Sequence, residues 1–298
     1  MKQLGRVLTA MVTPFNENLQ VDYGLAKKLA LALLASGSDG LVLCGTTGEA
    51  PTLSWKEELK LFEEVKSVVP ASATVVAYTG SNSTSEAVEA TRDAEKLGVD
   101  ACLSVVPYYN KPSQEGIYRH FRTIAEATSL PVIMYNIPGR VVVNMSVDTI
   151  VRLSEVPNIV GVKEASGNME HVAQVLKLVT RPDFYVWSGN DGDTFPIMAM
   201  GGYGVIGVTN HVIGKQIKRM CDLILANDVK AAAAIHLGMV PLVNALMNTA
   251  ANPAPVKYAL EVLGIKVGPP RLPLVEPDEA AKKKIEAVLK NYTIDIKL

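Results

Sequence analysis

The chain has 298 residues, of which 48% are hydrophobic and 20% are charged, so it can bury one large core or two cores of ordinary size. Its formal net charge of -1 provides no cationic field for nucleic acid or anionic lipid, so we expect neither a nucleic-acid partner nor a membrane partner. Three widely spaced cysteines and an N-terminus without a long apolar run are typical of a cytoplasmic protein with no disulfide framework and no signal peptide.

Short β-branched runs alternate along the chain with longer amphipathic stretches of helical period. The short runs predict eight strands, at residues 7–12, 40–44, 74–78, 101–106, 132–135, 159–162, 184–187 and 204–208. The stretches between them predict helices at residues 23–35, 56–69, 84–97, 114–127, 148–153, 168–179 and 194–200. After the eighth strand only helical patterns follow, at residues 214–226, 229–247, 255–263 and 277–291.

The predicted strands are apolar throughout, which is typical of parallel sheets that are covered by helices. Eight such units without a long linker predict an α/β fold of the (β/α)8 TIM-barrel type. We assign residues 1–226 to a catalytic barrel and residues 227–298 to a C-terminal helical domain. An open doubly wound sheet is the alternative, because it also alternates strands with helices.

Residues 202–207 match the dinucleotide-binding pattern G-x-G-x-x-G. That pattern functions where it follows a strand and opens a helix. Here a helical pattern precedes it and a predicted strand runs through it, so we do not predict a nicotinamide cofactor. Its glycines instead indicate a close approach of the barrel backbone to a bound ligand.

Lys163 ends the apolar run of the sixth predicted strand. The C-terminal ends of barrel strands carry the reactive groups in this fold, and burial lowers the pKa of an amine. A neutral lysine can form a Schiff base with a carbonyl compound, which makes Lys163 a candidate nucleophile. The competing interpretation is a lysine that ends a strand and reaches into solvent.

Polar residues also follow the second and fifth predicted strands. Thr46 and Thr47 stand between glycines, which free backbone N–H groups to hold a carboxylate. Tyr135 offers a hydroxyl that can carry protons, and Arg140 offers a planar fork that suits a carboxylate. Each residue alone has an ordinary explanation as turn, core or solvated surface, but closure of the barrel brings all of them to one rim.

The sequence argues against two other classes of site. The four histidines lack the spacings H-x-H and H-E-x-x-H, so we predict no metal site. There is also no G-x-S-x-G motif, which excludes a serine hydrolase of the α/β type.

Longer motifs follow one another along nearly the whole chain: Thr13-Pro14-Phe15, Gly45-Thr46-Thr47-Gly48-Glu49, Pro107-Tyr108-Tyr109-Asn110-Lys111-Pro112, Tyr135-Asn136-Ile137-Pro138-Gly139-Arg140, Val162-Lys163-Glu164-Ala165-Ser166-Gly167, Ser188-Gly189-Asn190-Asp191 and Asn252-Pro253-Ala254-Pro255-Val256-Lys257. With these motifs the chain resembles the pyruvate-dependent Schiff-base aldolase family, and within it the dihydrodipicolinate synthases. The resemblance implies an eight-fold barrel with a C-terminal helical domain. It also implies condensation of pyruvate with L-aspartate 4-semialdehyde in lysine and diaminopimelate biosynthesis.

The resemblance implies catalytic roles for particular residues. Lys163 would attack the pyruvate ketone and form a covalent imine, and Tyr135 would act as acid and base. Thr47 and Tyr109 would relay protons to Tyr135, with Tyr109 entering from a neighbouring subunit. We therefore expect a homotetramer built as a dimer of dimers.

The resemblance also implies binding roles. Thr46 and Thr47 would bind the pyruvate carboxylate, and Arg140 would bind the carboxylate of the semialdehyde. Val205 and Ile206 would help to line the pocket. Because the imine itself withdraws electrons, the reaction requires neither a metal nor a redox cofactor.

Two alternatives remain open. Sister families, among them N-acetylneuraminate lyase and the 2-keto-3-deoxy sugar acid aldolases, share the lysine and the tyrosine. Arg140 favours an acceptor aldehyde that carries a carboxylate, whereas a polyol acceptor would suit neutral partners. A catalytically silent barrel that binds a keto acid is the second alternative.

One departure from the family concerns regulation. Many members are inhibited by lysine at a cleft between subunits, and Asn82, Glu86 and Tyr108 match that effector site. Its two histidine positions hold Trp55 and Glu58 here, and Ala50 and Pro51 precede them. We therefore predict weak or absent inhibition by lysine.

Overall fold

The computed structural model describes residues 3–298, so the first two residues of the predicted barrel domain lie outside the described residues. In this range a closed barrel of parallel strands runs in chain order, and β1 pairs with β8. The strands are β1 (Val7–Ala10), β2 (Gly40–Leu43), β3 (Thr74–Tyr78), β4 (Ala101–Val105), β5 (Val132–Asn136), β6 (Ile159–Glu164), β7 (Tyr185–Ser188) and β8 (Gly204–Gly207). Closure confirms the predicted (β/α)8 barrel and excludes the open doubly wound sheet.

The helices alternate with these strands and then continue beyond β8. They are α1 (Tyr23–Ala35), α2 (Trp55–Lys66), α3 (Thr84–Lys96), α4 (Gln114–Glu126), α5 (Pro138–Val141), α6 (Val147–Ser154), α7 (Met169–Leu178), α8 (Thr194–Ala199), α9 (Asn210–Leu225), α10 (Val229–Met247), α11 (Ala254–Val262) and α12 (Glu279–Leu289). The domain boundary predicted between residues 226 and 227 lies in the turn between α9 and α10, and the division into two domains stays a prediction.

Two helices differ from the prediction. Helix α5 was not predicted, because a single turn that begins at Pro138 is too short to show a period. Helix α9 begins four residues before the predicted start at Gly214. Ile213 has the non-helical dihedrals φ -125° and ψ 41°, so the helix is kinked there and the regular period starts only after the kink.

Side chains along each strand alternate between the barrel interior and the surrounding helices. Leu8, Val42 and Ile206 belong to the apolar cluster that fills the interior, whereas Leu41 and Val75 pack with α1 and α2. The apolar residues of the interior make it a packed core, and in this fold the reactive groups lie at the C-terminal ends of the strands.

Helices α10 to α12 make up the predicted C-terminal helical domain. Helices α10 and α11 pack against α9, and α12 packs against α10 and α11. Their shared cluster includes Met239, Leu242 and Leu246 of α10, and it extends to Val205 on β8. By length and composition alone, α10 could cross a membrane. One face of α10 packs against the neighbouring helices, and 28% of its apolar window is buried inside the fold.

Candidate active site

Lys163 and Tyr135 lie side by side at the C-terminal end of the barrel. The strand register pairs Tyr135 of β5 with Lys163 of β6, so both side chains point to the same face of the sheet. The Nζ atom of Lys163 lies 4.3 Å from the centroid of the Tyr135 ring. Only 6% of Lys163 and 4% of Tyr135 is exposed. The competing interpretation of Lys163 as a lysine that reaches into solvent is therefore wrong.

The surroundings of Lys163 favour its neutral form. Burial lowers the pKa of the Lys163 amine from 10.5 to about 8, against the buried Asp191 carboxylate, which raises it. The guanidinium of Arg140 lowers the same pKa further. A lysine with this pKa has a substantial neutral fraction near neutral pH, as nucleophilic attack on a carbonyl carbon requires.

The pKa of Tyr135 is shifted in the opposite direction, so its hydroxyl keeps its proton. Burial raises the pKa of the Tyr135 hydroxyl to about 12, although the Arg140 charge and a hydrogen bond with the Thr46 side chain partly offset the rise. A protonated phenol beside a neutral amine can donate to the oxygen that leaves a carbinolamine as water. The pair therefore combines a nucleophile with a general acid.

The two threonines of the loop have different neighbours. The Thr47 Oγ1 atom accepts a hydrogen bond of 3.0 Å from Nδ2 of Asn252, and its predicted relay to Tyr135 stays a prediction. Thr46, expected only to bind a carboxylate, is the threonine that meets the Tyr135 hydroxyl. Adjacent residues in a loop point in different directions, and residue types alone do not tell which of two threonines faces the tyrosine.

Residues 45–49, which we call the threonine loop, are held in one conformation between β2 and α2. Glu49 has a left-handed backbone with φ 62° and ψ 35°. A Cβ atom at Gly48 would lie 2.9 Å from the Cα atom of Cys44, so this turn requires glycine. The hydroxyl of Thr13 donates to the Gly48 carbonyl at 2.6 Å. The tight turn at Gly48 and the hydrogen bond from Thr13 thus fix the backbone that follows Thr47.

Arg140 and Tyr109 lie at the mouth of the barrel and are exposed in the single chain. Arg140 belongs to the one-turn helix α5 that follows β5, and its charge acts on both Lys163 and Tyr135. Tyr109 is 90% exposed and has a positive φ of 70°. The barrel of this chain does not enclose the Tyr109 side chain, and its predicted relay role stays a prediction.

The two predicted lining residues of β8 face opposite sides of the strand. Ile206 belongs to the interior cluster of the barrel, opposite Leu8 of β1. Val205 packs with Val212 and Ile213 of α9 on the helix side. Only the backbone of Val205 remains available to a ligand, because strand alternation turns its side chain away.

Two residues near Lys163, Gly189 and Asp191, were not predicted individually as site residues. A Cβ atom at Gly189, just after β7, would lie 3.1 Å from Cγ of Lys163 and 2.8 Å from Cβ of Ala165, so glycine makes room for the lysine stem. The Asp191 carboxylate accepts the backbone N–H groups of Val208 and Thr209. Both residues belong to a motif quoted above, but only the fold shows that they surround Lys163.

A second concave region opens beside the barrel mouth, with a volume of about 430 Å³. It is lined by residues that include the predicted effector residues Glu86 and Tyr108, together with Trp55 and Glu58. Burial, and then the neighbouring Glu57 carboxylate, raises the pKa of Glu58 to about 8. Asn82, the third predicted effector residue, is not among the residues that line this region, and its backbone carbonyl accepts a hydrogen bond from the Asn110 side chain. Among residues 3–298, no group of three His, Cys, Asp or Glu side chains is arranged to hold a metal ion.

Comparison with known proteins gives consistent matches over the full length. The chain matches the Dihydrodipicolinate synthetase family over residues 3–292. A protein of Dehalococcoides mccartyi named 4-hydroxy-tetrahydrodipicolinate synthase is 58% identical over 296 residues, which are 99% of each chain. The protein of the same name from Moorella thermoacetica is 51% identical and covers 97% of this chain and 98% of its own. A crystal structure of the enzyme from Cyanidioschyzon merolae with lysine bound has a TM-score of 0.94 at 47% identity, with 97% and 98% of the two chains covered.

Proposed function

The chain belongs to the dihydrodipicolinate synthetase family, and from this membership we propose that it is a 4-hydroxy-tetrahydrodipicolinate synthase, condensing pyruvate with L-aspartate 4-semialdehyde. The reaction serves lysine and diaminopimelate biosynthesis, and its type is that of a class I aldolase. The observation that carries the proposal is the buried pair of Lys163 and Tyr135, one with a lowered and one with a raised pKa.

The reaction begins when the neutral Lys163 amine attacks the ketone carbon of pyruvate. The carbinolamine loses water as Tyr135 donates a proton to the departing oxygen, and a protonated imine is formed. The imine withdraws electrons, so the methyl carbon gives up a proton to the Tyr135 oxygen, which lost its own proton in the previous step, and becomes an enamine carbon. This carbon attacks the aldehyde of the semialdehyde, and the amino group of that substrate then displaces Lys163 from the former ketone carbon, which closes the ring and frees the enzyme.

The binding roles follow the layout of the barrel mouth. The threonine loop supplies a rigid backbone and two hydroxyls for the carboxylate of pyruvate, with Thr46 also in contact with Tyr135. Arg140 supplies a cation for the carboxylate of the semialdehyde, which lies on the outer side of the imine. A sugar-derived acceptor has no carboxylate at this position, and this favours the semialdehyde over the acceptors of the sister families.

Covalent trapping tests the proposed function. Borohydride added with pyruvate is expected to reduce the imine and to fix on Lys163 the mass of one pyruvic acid minus one oxygen atom, seen by peptide mass spectrometry.

The pyruvate kcat/KM is expected to rise with pH up to about 8 and then to level, because protonated Lys163 cannot attack. Turnover of pyruvate with the semialdehyde, compared with turnover of pyruvate with N-acetylmannosamine, tests which acceptor the enzyme uses. No adduct on Lys163 would favour the silent barrel, and turnover with the sugar alone would favour a sister family.

The proposal includes an oligomer and a cellular location. We propose a homotetramer, a dimer of dimers, in which Tyr109 of one subunit reaches the site of its neighbour. The exposure of Tyr109 in the single chain supports this role, and sedimentation velocity measures the assembly. We also propose that the enzyme acts in the cytoplasm on its two small-molecule substrates, with the covalent pyruvate imine in place of any cofactor.

Inhibition by lysine is expected to be weak or absent. Glu58 occupies one of the two positions at which the family's effector site has a histidine. Its raised pKa keeps the Glu58 carboxyl largely neutral at pH 7, so it offers little negative charge to the ammonium group of lysine. Half-inhibition is expected only above about 1 mM lysine, which corresponds to a binding free energy weaker than about 4 kcal/mol. A titration of turnover with lysine measures this, and Glu58→His is expected to increase the sensitivity. Strong inhibition of the unmodified enzyme at micromolar lysine would contradict the prediction.

A further inference from the structure

The C-terminal helical domain touches the threonine loop at two buried points that the proposed reaction steps do not use. At the first, Nδ2 of Asn252 donates to Oγ1 of Thr47 at 3.0 Å. At the second, Nζ of Lys257 lies 2.6 Å from Oε1 of Glu49, and these side chains are 2% and 0% exposed. Both contacts cross more than 200 residues of sequence and join the start of α11 to the loop that follows β2.

The first contact determines how the Thr47 hydroxyl can be used. The amide nitrogen of Asn252 only donates, so the Thr47 oxygen is the acceptor in this bond. The Thr47 hydrogen is then free for another partner, and the hydroxyl can serve as a donor. A carboxylate accepts hydrogen bonds and does not donate them, so this orientation suits the carboxylate of a keto acid.

The second contact holds the end of the loop. Glu49 has a left-handed backbone, which a residue with a side chain adopts only when its surroundings fix it. One of its carboxylate oxygens meets Lys257, and the other accepts the backbone N–H of Arg271 at 2.8 Å. The Lys257 ammonium also lies 4.0 Å from the centroid of the Phe15 ring. The C-terminal segment therefore fixes the loop from its far end.

We propose that Asn252 and Lys257 are positioning residues, which prepare the threonine loop for the carboxylate of the keto acid. The proposal rests on the proposed function, because it assumes that pyruvate binds at this loop. It assigns the C-terminal helical domain a part in substrate binding in addition to its part in packing. Neither residue touches the reacting atoms, so the expected effects are on pyruvate affinity more than on the rate at saturation.

Asn252→Asp tests the first contact with almost no change in shape. An aspartate carboxylate would accept from the Thr47 hydroxyl and so remove its hydrogen from the substrate. The KM for pyruvate is expected to rise about tenfold, as is typical for the loss of one hydrogen bond to a charged group, while kcat changes much less. The pyruvate concentration that gives half-maximal borohydride trapping is expected to rise by the same factor.

Asn248→Asp is the matched control. Asn248 lies four residues earlier, is exposed, and its side chain donates to Asn244 at the end of α10. This control is expected to keep the pyruvate KM of the unmodified enzyme. An unchanged KM and an unchanged trapping curve in Asn252→Asp would overturn the role of Asn252. An equal effect in the control would also overturn it, since the effect would then come from charge alone.

Lys257→Met tests the second contact. A double variant, which also changes Glu49, keeps the test possible if the single variant does not fold. The single change leaves the Glu49 carboxylate buried without its cation, so it is expected to lower Tm as well as to raise the pyruvate KM. The double variant Glu49→Gln with Lys257→Met removes both charges and is expected to recover most of the lost Tm but to keep the raised KM. A folded double variant with the KM of the unmodified enzyme would overturn the role of Lys257.

The trapping experiment separates this inference from the proposed function. If the unmodified enzyme gives no adduct with pyruvate, the proposed function fails. If the unmodified enzyme is trapped and the Asn252 and Lys257 variants follow the same concentration curve, only the positioning role fails.

Discussion

Replacing Lys163 by methionine is expected to abolish turnover, with a loss on the order of 10⁵-fold or more, as for other enzymes that lose their nucleophile. Methionine fills a similar volume but cannot form an imine, so borohydride with pyruvate is expected to leave the protein mass unchanged. Lys177→Met is the matched control, because Lys177 is exposed on α7. Residual turnover in Lys163→Met near that of the control would show that another group attacks the substrate.

The same variant is expected to be more stable than the unmodified enzyme at neutral pH. An unfolded lysine keeps its proton up to its ordinary pKa of 10.5, whereas the folded protein releases the Lys163 proton at about 8. Below pH 8 the fold must hold a buried charge, and the free energy of unfolding therefore rises between about pH 8 and 10.5. Removal of the amine is expected to add up to about 3 kcal/mol at pH 7. Thermal unfolding of the two proteins at pH 7 and at about pH 10 measures this difference. A lower Tm for Lys163→Met than for the unmodified enzyme at pH 7 would contradict the prediction.

Tyr135→Phe is expected to lower kcat by about 10² to 10⁴-fold while imine formation slows but continues. The ring that lies 4.3 Å from Nζ of Lys163 remains, and only the hydroxyl that exchanges protons is lost. Tm is expected to change little, because the cavity left by one oxygen is small. The borohydride adduct is still expected to form on prolonged incubation with pyruvate, which shows that Lys163 is intact.

Tyr185→Phe serves as the control for this change. Tyr185 begins β7 at the opposite end of the barrel and packs against Trp187 and Tyr203. Turnover of this control is expected to equal that of the unmodified enzyme. If Tyr135→Phe also turns over at the normal rate, the general acid must be sought elsewhere at the barrel mouth.

The periodic parts of the fold were predictable from the sequence because burial imposes a regular pattern on strands and helices. All eight strands follow from their apolar runs, and most helices follow from their period. Helix α5 and the kink at Ile213 were missed because both depend on a single turn. A single turn contains too few residues to show a pattern.

The site was predictable to the extent that strand ends meet at one rim. Lys163 and Tyr135 could be selected because parallel strands in register bring their last residues together. The division of roles between Thr46 and Thr47 could not, since it depends on which hydroxyl meets Asn252 from a remote part of the chain. The outward orientation of Val205 follows from strand alternation once one residue of β8 is known to face the interior.

The pairing of Tyr135 with Lys163 has a consequence for how such a barrel can be re-engineered. The two reacting groups stand on adjacent strands joined by the backbone ladder, so their spacing is inherited from the sheet. Arg140, by contrast, stands on the separate turn of α5 outside that ladder. Grafting a different segment in place of residues 138–141 is thus a route to new acceptor aldehydes that leaves the covalent half of the chemistry in its original geometry.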